Sequence, residues 1–197
     1  MDDTMQTNGK DLAASLQANV ALILEENRKL ADKIQYSEVA KIIPHIQSAE
    51  RIFLVGAGRS GLALHSAAMR LMHLGLSVFV VGETTTPAIR EGDLLLAASG
   101  SGTTSSIVKA AEKAVSAGAK VVALSTTATS PLATLAAHVA VVPAAQKQDH
   151  GTAVSEQYAG SLFEQAILLL TDAIFQTLWG LDKTPAEELW KRHANLE

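Results

Sequence analysis

Residues 94–106 read LLLAASGSGTTSS, an apolar run that ends abruptly in glycines and hydroxyls. The apolar part has the length and bounds of a buried strand, and the stretch after it opens a helix. At such a junction, unpaired backbone N–H groups and the positive end of a helix dipole converge on one point. Ser99, Ser101, Thr103 and Thr104 add four hydroxyl donors there, with no fixed positive charge. That chemistry suits a phosphate monoester on a small molecule.

A second loop has related character. Gly56-Ala57-Gly58-Arg59-Ser60-Gly61 fits G-x-G-x-x-G directly after a strand pattern and at the start of a helix pattern. This is the dinucleotide-binding context, and Glu83 ends the next strand where a ribose-binding carboxylate could sit. Arg59 and Ser60, however, place a cation and a hydroxyl inside the turn, suited to gripping a substrate's own oxygens. Two such loops at neighbouring strand ends exceed what one pyrophosphate needs. Gly58, Arg59 and Ser60 are therefore candidate substrate contacts, and a nicotinamide site is the competing reading. Arg59 has an alternative role in an ion pair with Glu83 or Glu91.

Glu164, in SLFEQA, is an acid in the first turns of an otherwise apolar helix. It is a candidate base, or simply a favourable charge at a helix N-terminus. Glu156, in the loop leading into that helix, is the second candidate. Among six histidines, His193 sits near the C-terminus, where exposure on a fraying helix competes with a proton-transfer role. His65 lies one helical turn past Ser60 and Gly61, and His73 is placed to cap a helix end. His45, His138 and His150 have no metal-ligand spacing, and no metal site is expected.

The elements that must position these residues alternate. Helix periodicity covers about 9–34, through Leu12, Leu16, Val20, Ile23, Leu30 and Ile34, and a second helix is expected from an N-cap at Ser37 to Ser48. Strands are predicted at 51–56, 77–81, 93–98, 120–124 and 138–142, with helices at 60–74 and 104–117. A polar loop spans 146–157, a long apolar helix 160–178, and a short tail begins at Thr184-Pro185. This pattern predicts an α/β fold: a three-layer, doubly wound, five-stranded parallel sheet, flavodoxin-like, with an added N-terminal helix. Ligands bind at the carboxyl ends of such strands. The N-terminal helix is either a strap across the domain or a dimerisation element. Residues 1–48 are expected to belong to the same domain as 49–197.

With 20 acidic and 16 basic residues, the net charge of −4 argues against nucleic acid as partner. No basic run suggests a membrane surface, and no uncharged apolar stretch approaches ~18 residues. The first residues lack a signal-peptide pattern, so a cytoplasmic location is expected. There are no cysteines, which excludes disulfides and thiolate metal sites.

GAGRSG (56–61), AMRLMHLG (68–75), VGETTTP (81–87), SGSGTT (99–104) and the ending KRHANLE (191–197) resemble the sugar isomerase (SIS) family, and within it the 6-phospho-3-hexuloisomerase branch. One departure is Tyr158-Ala159-Gly160 where that branch has Pro-Met-Gly. The resemblance implies interconversion of D-arabino-hex-3-ulose 6-phosphate and fructose 6-phosphate through an enediolate, in formaldehyde fixation by way of ribulose monophosphate. It implies Glu164 as base and His193 as an acid brought into a neighbouring subunit's pocket; Arg59, from its place in the 56–61 loop, is expected to bind substrate hydroxyls or the enediolate oxygen. Thr84, Thr85 and Thr86 would line the pocket or an interface. It further implies a homotetramer without metal or organic cofactor, working with a hexulose-phosphate synthase. A non-catalytic phosphosugar sensor and an aldose–ketose isomerase on the same fold are the alternatives.

Overall fold

The structure is a computed structural model that describes the backbone of residues 3–146 and 155–196, and side chains from residue 11 onward. His150 and most of the 146–157 loop lie outside the described residues. Five parallel strands form one sheet in the order β2-β1-β3-β4-β5: β1 Ile52–Gly56, β2 Val78–Val80, β3 Leu94–Ala98, β4 Lys120–Ser125 and β5 His138–Val141.

The strand order changes direction between β1 and β3. With right-handed crossovers, that reversal puts the helices on either side of it against opposite faces of the sheet. Alternate strand residues accordingly feed two cores. Ile52, Leu54, Leu94, Leu96, Val122 and Leu124 pack with helices α4 (Gly58–His73) and α7 (Ser161–Asp182). Phe53, Val55, Leu95, Ala97 and Val121 pack with α5 (Ser105–Ser116) and the short α6 (Pro131–Leu135). β3 is buried at every residue because both its faces are covered. The three-layer, doubly wound expectation therefore holds, although α6 carries no periodicity long enough to announce it.

Several boundaries differ from the sequence expectation, most of them by one to four residues at an element's end, and three bear on the architecture. The helix expected over 37–48 is broken at Lys41 into α2 (Tyr36–Ala40) and α3 (Ile42–Ser48), with Gln35 as N-cap. Pro44 explains the break: it has no N–H for the Ala40 carbonyl, and its ring crowds the same group. The tail helix α8 (Ala186–Trp190) starts one residue late, with Pro185 rather than Thr184 as N-cap. The N-terminal helix α1 runs Asp3–Ala31, and its apolar stripe is only partly used. Leu30, and Ile34 beyond the helix end, enter the core, whereas Leu12, Leu16, Val20 and Leu24 are each more than half exposed.

At the opposite end of the sheet from the glycine loops, Arg51 grips the buried Asp93 carboxylate with two hydrogen bonds, of 2.9 and 2.6 Å. The Arg90 amide adds a third at 2.8 Å. Burial pushes the Asp93 carboxyl up, but Arg51 and the Arg90 amide outweigh it and hold it below its usual range.

Candidate active site

Gly56 and Ala98 are register partners at the ends of β1 and β3, so the two loops leave the sheet side by side at its switch point. Between them lies a cavity of about 200 Å3. Three helices begin on its wall: α4 at Ala57 and Ser60, α5 at Thr104 and α7 at Gly160. Among the described residues, none of the three N-cap residues, Ala57, Thr104 and Gly160, caps its helix with its own side chain, so the partial positive charges of the helix ends point to this place. No charged side chain lines the cavity among the described residues. The arrangement, backbone amides and hydroxyls without a charged side chain, has the chemistry to cradle an anion.

Local sequence explains the shape. A Cβ on Gly61 would meet the Gly56 carbonyl oxygen at 2.9 Å, so the first and last glycines let α4 start against β1. Gly102 has φ +64°, and a Cβ there would collide with the Ser130 side chain. Within the loop, the buried Ser99 Oγ accepts from the Gly102 amide at 3.2 Å and lies 3.2 Å from Thr104 Oγ1. Ser101 Oγ lies 2.8 Å from Thr103 Oγ1. Ser60, Ser99, Ser101 and Thr104 line the cavity; Gly58 and Thr103 shape its loops without forming its wall.

Glu164 is buried, and its Oε2 lies 3.2 Å from Arg59 Nη1. The same guanidinium nitrogen donates to Ser161 Oγ at 3.2 Å. The ion pair of Arg59 is thus with Glu164 rather than with Glu83 or Glu91. The pair lies in a groove between α4 and α7, bordered by Leu62, Ser66 and Leu168, immediately beside the cradle. Phe163 faces the cradle and Glu164 the groove, one residue apart around α7. Glu156 is exposed and engages through its backbone amide.

His193 stands elsewhere. Its ring stacks on His73 at 4.0 Å and against Trp190 at 4.5 Å, at the carboxyl end of α4. A 16-residue helix spans roughly 24 Å, and the cradle is at its other end. His193 therefore does not reach its own chain's cradle. His73 is buried; desolvation, then His193, Arg70 and Arg192, pull its pKa down. His65, Thr84 and Thr85 are exposed.

Sequence reasoning missed several participants. Phe163 and Gln146 complete the cradle wall, although neither has a spacing signal. Glu26 on α1 accepts from Ser155 Oγ at 2.7 Å, the Glu156 amide at 2.6 Å and Gln157 Nε2 at 2.9 Å. Burial raises its carboxyl and these donors lower it, leaving it below the usual range. Asn27 donates to Gln165 at 2.6 Å, so the end of α1 holds the approach to α7 next to Glu164. Among the described residues no cluster of three or more His, Asp or Glu could hold a metal ion, and no helix is long and apolar enough to cross a membrane.

The sequence pattern of the SIS domain family matches residues 45–169. The chain belongs to the SIS domain family. The curated 3-hexulose-6-phosphate isomerase of Mycobacterium gastri is 56% identical over 179 residues, covering 91% of this chain and 90% of that protein. Its counterpart in Bacillus subtilis is 41% identical over 179 residues, covering 90% and 97%. A crystal structure of a hypothetical protein from Methanococcus jannaschii, from which a 3-hexulose-6-phosphate isomerase function was inferred, superposes with a TM-score of 0.77. It is 28% identical and covers 91% of this SIS chain and 99% of its own. The match runs through both glycine loops, β1 to β5 and the first turns of α7, so every element that builds the cradle lies inside the SIS domain.

Proposed function

We propose that this SIS protein is an isomerase that interconverts D-arabino-hex-3-ulose 6-phosphate and D-fructose 6-phosphate, the activity its M. gastri and B. subtilis relatives carry in their names. The observation that carries the reading is the buried Glu164, paired with Arg59 beside a cradle where three uncapped helix N-termini meet. The phosphate sits in the cradle on Ser99, Ser101 and Thr104, with Thr103 and Gly58 shaping the loops and Ser60 on the opposite wall. Glu164 takes the C2 proton of the 3-ketose and returns it to C3, passing through an enediolate, while a proton moves between the two oxygens. Arg59 stabilises the developing oxyanion. The step is redox-neutral and asks for no redox cofactor.

His193 acts from another copy of the chain. The C6 oxygen that would close a five-membered ring on C3 carries the phosphate, so the 3-ketose is largely open-chain. Fructose 6-phosphate cyclises through its C5 hydroxyl, and an acid is needed mainly on that side. A homotetramer supplies the second copy, and the exposed Leu12, Leu16, Val20 and Leu24 stripe of α1 supports association. Residues 1–48 form one domain with the rest, since Leu30, Ile42 and Ile46 share its core. The protein works in the cytoplasm, downstream of a hexulose-phosphate synthase.

The test is incubation with fructose 6-phosphate in heavy water, followed by NMR. Deuterium at C3 with a new 3-ketose phosphate is the expected result. Deuterium at C1 would instead mean an aldose–ketose isomerase, and binding without exchange would mean a sensor.

A further inference from the structure

The loop that forms the anion cradle is itself held from behind. The Gly100 carbonyl oxygen accepts three hydrogen bonds from the end of β4 and the residue after it: from the Thr126 amide at 3.0 Å, Thr126 Oγ1 at 2.8 Å and Ser125 Oγ at 3.1 Å. Ser125 is fully buried. Two residues on from Gly100, the Gly102 carbonyl accepts from the amide of Leu132, the second residue of α6, whose N-cap is Ser130.

A trans peptide points its C=O and the following N–H in opposite directions. Holding the Gly100 oxygen towards β4 therefore turns the Ser101 N–H the other way, to the side where Ser101 lines the cavity. A buried carbonyl is satisfied by one or two donors. Three donors on one oxygen fix the peptide plane against the rotation that would present oxygen, rather than N–H, to an anion.

The geometry points to Thr126 as a positioning residue for phosphate recognition: with Ser125 it locks the Gly100–Ser101 peptide so that the Ser101 amide donates to the substrate's phosphate. This rests on the reading of the cradle as the phosphate site. Thr126 does not touch the substrate; it acts through the peptide it holds. Its effect falls on binding of the phosphate, which is common to ground state and transition state, so it shows in KM rather than kcat.

The test compares wild type with Thr126→Val, which keeps the amide bond and removes the hydroxyl, and Thr126→Ser, which keeps both. Inorganic phosphate is titrated while the Ser101 amide 15N–1H shift is followed, and KM and kcat for fructose 6-phosphate are measured alongside. Loss of one hydrogen bond to the carbonyl should weaken phosphate binding and raise KM by about five- to tenfold, with kcat within twofold. Thr126→Ser should restore both, and the thermal midpoint reports whether folding is intact. Unchanged phosphate binding in a folded Thr126→Val protein, an equal fall in kcat, or no Ser101 shift in wild type would overturn the proposal. Phosphate binding that weakens in Thr126→Val while wild type shows no isomerisation would uphold it and sink the isomerase reading instead.

Discussion

Nη1 of Arg59 lies 3.2 Å from Oε2 of Glu164 across the seam between α4 and α7, although four strands separate those two helices along the chain. The contact brings a guanidinium to a buried carboxylate at the rim of the cradle. Arg59 is itself largely exposed, so the pair is open to a ligand on one side. In the proposed reaction, a sugar whose phosphate is seated on the hydroxyl loop lays its carbonyl end towards this opening.

Replacing Glu164 with Gln should lower isomerisation by about 10²–10⁴-fold while leaving inorganic phosphate binding within about twofold. Glu156→Gln should change neither, because that side chain is exposed. Steady-state rates and a phosphate titration on both variants decide between the two acids.

His193→Ala should slow turnover of fructose 6-phosphate more than turnover of the open-chain 3-ketose. Since His193 lies far from its own cradle, mixing His193→Ala with Glu164→Gln subunits should restore activity, to about a quarter of wild type for sites shared pairwise after random exchange. No recovery in a mixture proven by mass spectrometry to have exchanged would remove His193 from the site.

Asp93→Ala should destabilise the fold by about 1–2 kcal/mol, because it removes the buried carboxylate that accepts from the part-buried Arg51 guanidinium and from the Arg90 amide. The Asp93 carboxyl is held below its unfolded value, so its contribution is full above about pH 4 and is lost as pH falls through the folded-state value. Urea unfolding of wild type and variant at neutral pH and in acid should show the gap narrowing in acid.

The depressed pKa of His73 has the same sign. The unfolded chain binds the proton more readily, so stability is full above about pH 6.5 and declines below it. Burial, then His193, Arg70 and Arg192, oppose the proton, while Asp172 borders the same cavity. Thermal midpoints followed from mildly alkaline to mildly acidic pH should fall more steeply in wild type than in His73→Gln.

Leu12→Glu with Leu16→Glu should lower the mass seen by light scattering, while the circular dichroism of the fold is retained. Both side chains are more than half exposed, so the change disturbs association rather than the core.

Much of this protein is legible in local sequence. Apolar runs such as 94–98 name buried strands because a parallel sheet covered on both faces leaves no polar side, and glycines at 56, 61 and 102 mark places where a Cβ has no room. The hydroxyl loop at 99–104 and the helix starts beside it follow from neighbours in the chain. The break at Lys41 was concealed because one proline, Pro44, outweighed an otherwise helical pattern.

Tertiary structure alone decided the partnerships. Local periodicity specifies which face of a helix is buried, but it does not say which distant side chain shares that space. It could not pair Arg59 with Glu164, seat His193 on His73 at the far end of α4, or bring Ser125 and Thr126 to the Gly100 carbonyl. Each contact joins segments that strand order and crossover hand bring side by side, and both are properties of the whole sheet that no segment carries by itself.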